Sequence, residues 1–261
     1  MSDSLALSAL RLSSFFSSSV SSPFSVFSPA HLVSLGAFLL AAALLLIFRR
    51  AIRAKPKRTL ILRLTLLALL AAAEASLHIW YIARGVWNAR FTLPLELCSL
   101  MLLAAILMLL TRSRFLAGLV FFAGIGGALQ ALITPNLAYA YPHFRFVQFF
   151  VAHAAIILSA LYMVWIERFR PTWHTILSAM LSLNALALVV YLLDRLLDAN
   201  YMFLRGKPDT PSVLDMLGDY PLYIVAEELL ALFTFTTLYI LFFLLPDALG
   251  RGRSGGKSKT E

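Results

Sequence analysis

The stretch LPLELCSLML holds Cys98, the only cysteine of the chain. A thiol there serves as a nucleophile or as a small apolar filler. The nucleophilic role requires a base that takes the proton. Five histidines are available: His31 and His174 at ends of apolar segments, His143 in a loop, and His78 and His153 inside apolar segments. The last two are both candidate partners, and spacing does not choose between them. Glu96 lies two residues before Cys98, about 200° around a helix, so it is not a same-face partner. It caps the membrane interface or pairs with Arg90. Glu74 and His78 are four residues apart and share a helix face, as a structural hydrogen-bonded pair or as part of a site. Gln130, Gln148, Asn184, Glu227 and Glu228 are further polar residues within apolar runs. Asn184 reads most simply as an interhelical hydrogen bond.

These groups must be positioned by helices in lipid. Hydrophobic residues make up 61% of the 261 residues and charged ones only 13%, whereas soluble domains are about half apolar and about a quarter charged. One cysteine excludes an internal disulfide framework and a multi-cysteine metal site, and no residue pattern implies a cofactor or metal. The net charge of +9 does not mark a nucleic-acid binder. The basic residues sit mostly in short loops between apolar runs, the pattern that orients membrane proteins.

Seven apolar segments approach the roughly 20 residues that cross a bilayer: near His31–Phe48, Leu60–Ile82, Leu93–Leu110, Phe115–Thr134, Phe146–Ile166, His174–Leu193 and Pro221–Leu245. The chain reads as an all-α membrane protein, a bundle of seven transmembrane helices over 31–248. A serine-rich flexible segment (1–30) precedes it, and a basic flexible tail (249–261) follows. The first apolar run carries its positive charge after it, in RRAIRAKPKR, so it reads as a retained helix and not a secretory signal. Fourteen Lys and Arg fall on one side of the bundle and seven on the other. This predicts an outside N-terminus, a cytoplasmic C-terminus and a multi-pass protein of the cell membrane.

At about 1.5 Å per helical residue, Glu74, His78, Cys98, Gln130, Gln148, His153, Glu227 and Glu228 all fall in the outer half of the membrane. The inner halves are nearly purely apolar, with Arg63 close enough to its end to snorkel. A one-sided polar layer predicts a site that opens outward and not a channel.

Three blocks, TLPLELCSL (92–100), GALQALITPNLAYAYPHFRFVQFFVAHAAIIL (127–158) and NYMFLRGKPDTPSVLDMLGDYPLYI (200–224), resemble the YwaF-like bacterial integral membrane proteins over roughly residues 31–248. That family is similar to a eukaryotic transmembrane phospholipid acyltransferase. More distantly it resembles membrane hydrolases of fatty-acid esters of hydroxy fatty acids. The resemblance implies that Cys98 takes up an acyl chain as a thioester and that His153, in FFVAHAAII, assists. The threonine nucleophile of the hydrolases also matches Cys98. Bacterial relatives commonly carry histidine where this chain has Glu96.

The expectation is therefore a lipid acyltransferase or acyl hydrolase with Cys98 as nucleophile and His153 as base. Glu74, His78, Glu96, Gln130, Gln148, Asn184 and Glu227 would line the cavity, with Glu227 orienting an imidazole. Tyr201, Arg205 and Lys207 of the loop 194–220 would meet a phosphate headgroup, and membrane lipids are the expected partners. The alternative is a seven-helix binding or transport protein in which Cys98 only lines the pocket.

Overall fold

In the computed structural model, residues 14–20, 22–207 and 213–254 are described. The extreme start (1–13) and the end of the basic tail (255–261) lie outside them. Seven helical segments follow one another: α1 (Pro29–Arg53), α2 (Pro56–Ala83), α3 (Leu97–Thr111), α4 (Arg114–Ile133), α5 (Phe144–Trp165), α6 (Trp173–Leu197) and α7, which starts at Leu222 and continues to Ser254. The polypeptide puts Ser or Thr before several of these starts. Ser28 accepts from the His31 amide ahead of Pro29, Ser113 accepts from Leu116, and Thr172 and Thr175 form a reciprocal capping box. Such caps satisfy amides that a helix cannot.

Six helices are long and apolar enough to cross a membrane; α3, with 15 residues, is the shorter apolar one. The sequence pattern predicts α3 from Leu93, but the helix starts only at Leu97. Pro94 explains the difference, since proline in a helix interior removes a donor and clashes with the preceding turn. Two π-helical turns, Val120–Gly124 within α4 and Ile240–Leu244 within α7, face one another through Phe121, Phe242 and Phe243. No periodicity of apolar residues announced them.

The inner helices are α4 and α5, with 61% and 67% of their most apolar windows buried, against 11% for α1 and 17% for α7. The outer helices turn leucines such as Leu39, Leu181 and Leu229 outward, as expected where lipid is the solvent. Close approach relies on glycine. A Cβ on Gly118 of α4 would lie 2.3 Å from Thr175 Cγ2 of α6, so these helices cross in near contact. His31, fully buried, ties α1 to α4: Nε2 lies 2.8 Å from the Leu132 carbonyl, and Nδ1 accepts from the Phe27 amide.

The described part of the serine-rich segment does not hang free. Phe16 accepts from the Trp80 indole, Ser17 from His143, Ser18 from Tyr139, and Pro23 bridges to Tyr139. This strap lies across the α4–α5 connection and the end of α2.

Candidate functional site

Because α3 starts at Leu97, Cys98 is its second residue and not a mid-helix one. Glu96 occupies the N-cap position in extended conformation, yet its side chain does not cap the helix. Its carboxylate turns away and accepts from the Met202 amide at 3.1 Å. The first amides of any helix lack intrahelical acceptors, and those of Leu97, Cys98 and Ser99 make no other hydrogen bond among the described residues. The thiol is half-buried and sits over Gly127 of α4, where a Cβ would be 3.9 Å from Sγ and 3.3 Å from Leu97 Cδ2. Gly127 thus makes room for the start of α3.

His153 is buried on α5, a helix that packs against both α3 and α4. Its Nδ1 lies 2.7 Å from the Phe149 carbonyl, and its ring packs on the Phe149 ring with centroids 4.1 Å apart. A carbonyl only accepts, so in the neutral ring the proton sits on Nδ1 and Nε2 carries the lone pair. No hydrogen bond joins Nε2 to Cys98 among the described residues. The second candidate base, His78, is already engaged: Nε2 is 3.1 Å from Glu74 Oε1.

The remaining polar residues do not converge on one outward cavity. They separate into three groups. In the first, along the α2–α5 seam, Glu74 and His78 pair one turn below Tyr81, whose ring carries the Arg145 guanidinium 5.7 Å from its centroid. Arg145 also donates to Gln148, which itself donates to the Ala73 carbonyl. Nearby at the start of α5, burial holds the His143 imidazole below its ordinary range, only partly offset by its bond to the Ser17 carbonyl. In the second group, Asn184 donates to Glu228 at 2.9 Å, linking α6 to α7. Glu227 makes no hydrogen bond to an imidazole among the described residues, so it does not orient one here. In the third, Gln130 is exposed and lines a groove of about 310 Å³ between α4 and α7, with Thr234 and Leu238. Neither Cys98 nor His153 lines that groove.

The loop residues expected to meet a headgroup have internal partners instead. The Tyr201 hydroxyl donates to the Ala89 carbonyl and accepts from the Leu93 amide, both at 2.9 Å. Arg205 donates to the Ala199 and Asp194 carbonyls and lies 3.4 Å from Asp198. Lys207 pairs with Asp219 at 3.8 Å and lies over the Tyr223 ring. Arg90, a possible partner for Glu96, pairs with Asp198 at 3.3 Å. Arg90, Arg205 and Lys207 are thus each matched by an acidic neighbour. Sequence reading missed Asp194, fully buried on α6: Oδ1 accepts from the Tyr201 amide, and Oδ2 has no hydrogen-bond partner among the described residues.

Tyr201 and Asp194 therefore hold the chain leading into Cys98. Glu96 adds to this, since it fixes Met202, a non-glycine residue in the left-handed region at φ 53°. Tyr201→Phe keeps the ring but leaves a half-buried amide and carbonyl without their hydroxyl partner, a loss of about 1 kcal/mol. A lowered melting temperature in detergent, with faster amide exchange confined to residues 88–96, is the expected result.

The chain has no match among curated proteins or solved structures. One family model does match, over residues 26–239, and so covers all seven helical segments described above apart from the end of α7. A bundle of apolar helices, six of them long enough to cross a membrane, is thus set in a known group: the chain belongs to the TMEM164 family, a family of transmembrane proteins.

Proposed function

We propose that this protein is a membrane lipid acyltransferase or acyl hydrolase with Cys98 as nucleophile and His153 as general base. The observation that carries the reading is the thiol at the uncapped first turn of α3. A helix N-terminus favours negative charge, and unpaired amides there are suited to an oxyanion. In the resting state the half-buried thiol keeps its proton. As Sγ attacks the ester carbonyl of a bilayer lipid, the free Nε2 of His153 takes that proton and the carbonyl oxygen becomes an oxyanion facing the first-turn amides. Collapse expels the lipid alkoxide, which regains the proton from His153 and leaves an acyl-thioester on Cys98. A second lipid hydroxyl, or water, then gives its proton to His153 and attacks the thioester. Collapse breaks the C–S bond, the Cys98 thiolate takes the proton back from His153, and the new ester or fatty acid departs.

The missing Cys98–His153 hydrogen bond fits a site that tightens when substrate enters, as catalytic bonds often do. In this reading α3 is the seventh crossing, the N-terminus is outside and the C-terminus cytoplasmic. At about 22 Å its helical part is short for a bilayer. Of the irregular residues before it, Leu93 and Leu95 are half-buried against Tyr201, and non-helical backbone at membrane depth is tolerated where protein packs on it. The alternative, non-covalent binding or transport, is supported by the Glu74–His78 pair and its neighbours, which lie apart from Cys98.

Intact-mass analysis of the full chain purified from a lipid-rich membrane tests the proposal. A population heavier by one acyl chain, removed by neutral hydroxylamine and absent in Cys98→Ser, is expected. A wild-type chain that carries no acyl adduct, or full acyl transfer by Cys98→Ser, would overturn it.

A further inference from the structure

At the end of the bundle away from Cys98, the α1–α2 connection, the α3–α4 turn and the chain after α5 surround a cavity of about 400 Å³. Arg53, Arg112 and Arg168 line it. None of the three forms an ion pair or side-chain hydrogen bond among the described residues, in contrast to the matched Arg90, Arg205 and Lys207 at the other end. Two of them are set by an unusual backbone. Arg112 and Arg168 both sit at φ 56°, the left-handed conformation that costs a side-chain-bearing residue energy and that helix ends usually assign to glycine. The strain in both turns aims cations, not glycines, at one space.

Only one acid lines the cavity, Glu167, and its Oε1 accepts from the Tyr162 hydroxyl at 2.6 Å. Two positive charges are therefore in excess. Guanidinium groups present forked donors that match phosphate oxygens. Leu60, exposed outside the bundle, forms part of the rim, so an amphiphile could leave its chains in the bilayer while its head enters.

We infer that this cavity binds the phosphate headgroup of an anionic lipid, in the leaflet opposite the proposed Cys98 site. A zwitterionic choline head would bring a further cation to a space already positive. The site is independent of the acyl-transfer proposal, and either can fail alone.

The test is native mass spectrometry of the full chain, titrated with phosphatidylglycerol or with phosphatidylcholine of the same acyl chains. Phosphatidylglycerol is expected to bind more tightly. Substituting Arg53, Arg112 and Arg168 by Gln should weaken it by roughly tenfold for each guanidinium removed, while Lys57→Gln outside the cavity leaves it unchanged. Glu167→Gln keeps an acceptor for Tyr162 and should tighten binding, which gives a test that does not depend on the triple variant folding. Equal affinity for the two lipids, or equal loss in Lys57→Gln, would overturn the inference. Glycerol phosphate and inorganic phosphate are the soluble arms: weak competition supports a lipid, and full displacement at equal concentration overturns the lipid source in favour of a free phosphate.

Discussion

Cys98→Ser is expected to lower acyl transfer by about four to six orders of magnitude while leaving the fold intact. Serine differs from cysteine by one atom, and at the half-buried position over Gly127 the smaller oxygen fits the same space. Packing is therefore nearly conserved. Chemistry is not, because a hydroxyl holds its proton far more tightly than a thiol. The measurement is transfer of a labelled acyl chain between phospholipids by the reconstituted protein, with the melting temperature recorded in parallel. A variant that melts like the parent and still transfers at the parent rate would remove Cys98 from the mechanism and leave the binding or transport reading.

His153→Gln is the second large effect, a loss of about 10²- to 10⁴-fold in the rate of acylation. Glutamine is chosen because its amide can still donate to the Phe149 carbonyl, as Nδ1 does now. What it cannot supply is the basic lone pair of Nε2. The loss should therefore fall on the rate and not on stability. A structural role alone predicts the reverse, a lower melting temperature with the rate per folded molecule unchanged. His78→Gln is the comparison. His78 is already paired with Glu74, so this change should leave acylation within a few-fold.

The membrane class and the number of apolar segments follow from composition and period, since lipid demands long uninterrupted apolar runs. The pairing of Glu74 with His78 was also legible, because residues four apart share a helix face. What the other polar groups do was not. Whether Gln130 points toward Cys98 or toward α7 depends on helix rotation, which is set by contacts such as Gly127 with Leu97. The roles of Tyr201 and Arg205 were hidden for a different reason. Their partners, Ala89 and Leu93 for one, Asp194 and Ala199 for the other, are backbone groups that carry no sequence signature. One signal was available and underused: Pro94, read as a breaker, puts the start of α3 beside Cys98.

The crossing of α4 and α6 at Gly118 has a mechanical consequence. Gly118 and Thr175 both lie near the starts of their helices, so the pair is pinned at the end that carries the arginine cavity. Beyond it α7 packs against both α4 and α6. That packing leaves the groove lined by Gln130 and Thr234. The lateral opening between α4 and α7 therefore lies beyond the pinned crossing, on the side of Gly118 away from the arginine cavity.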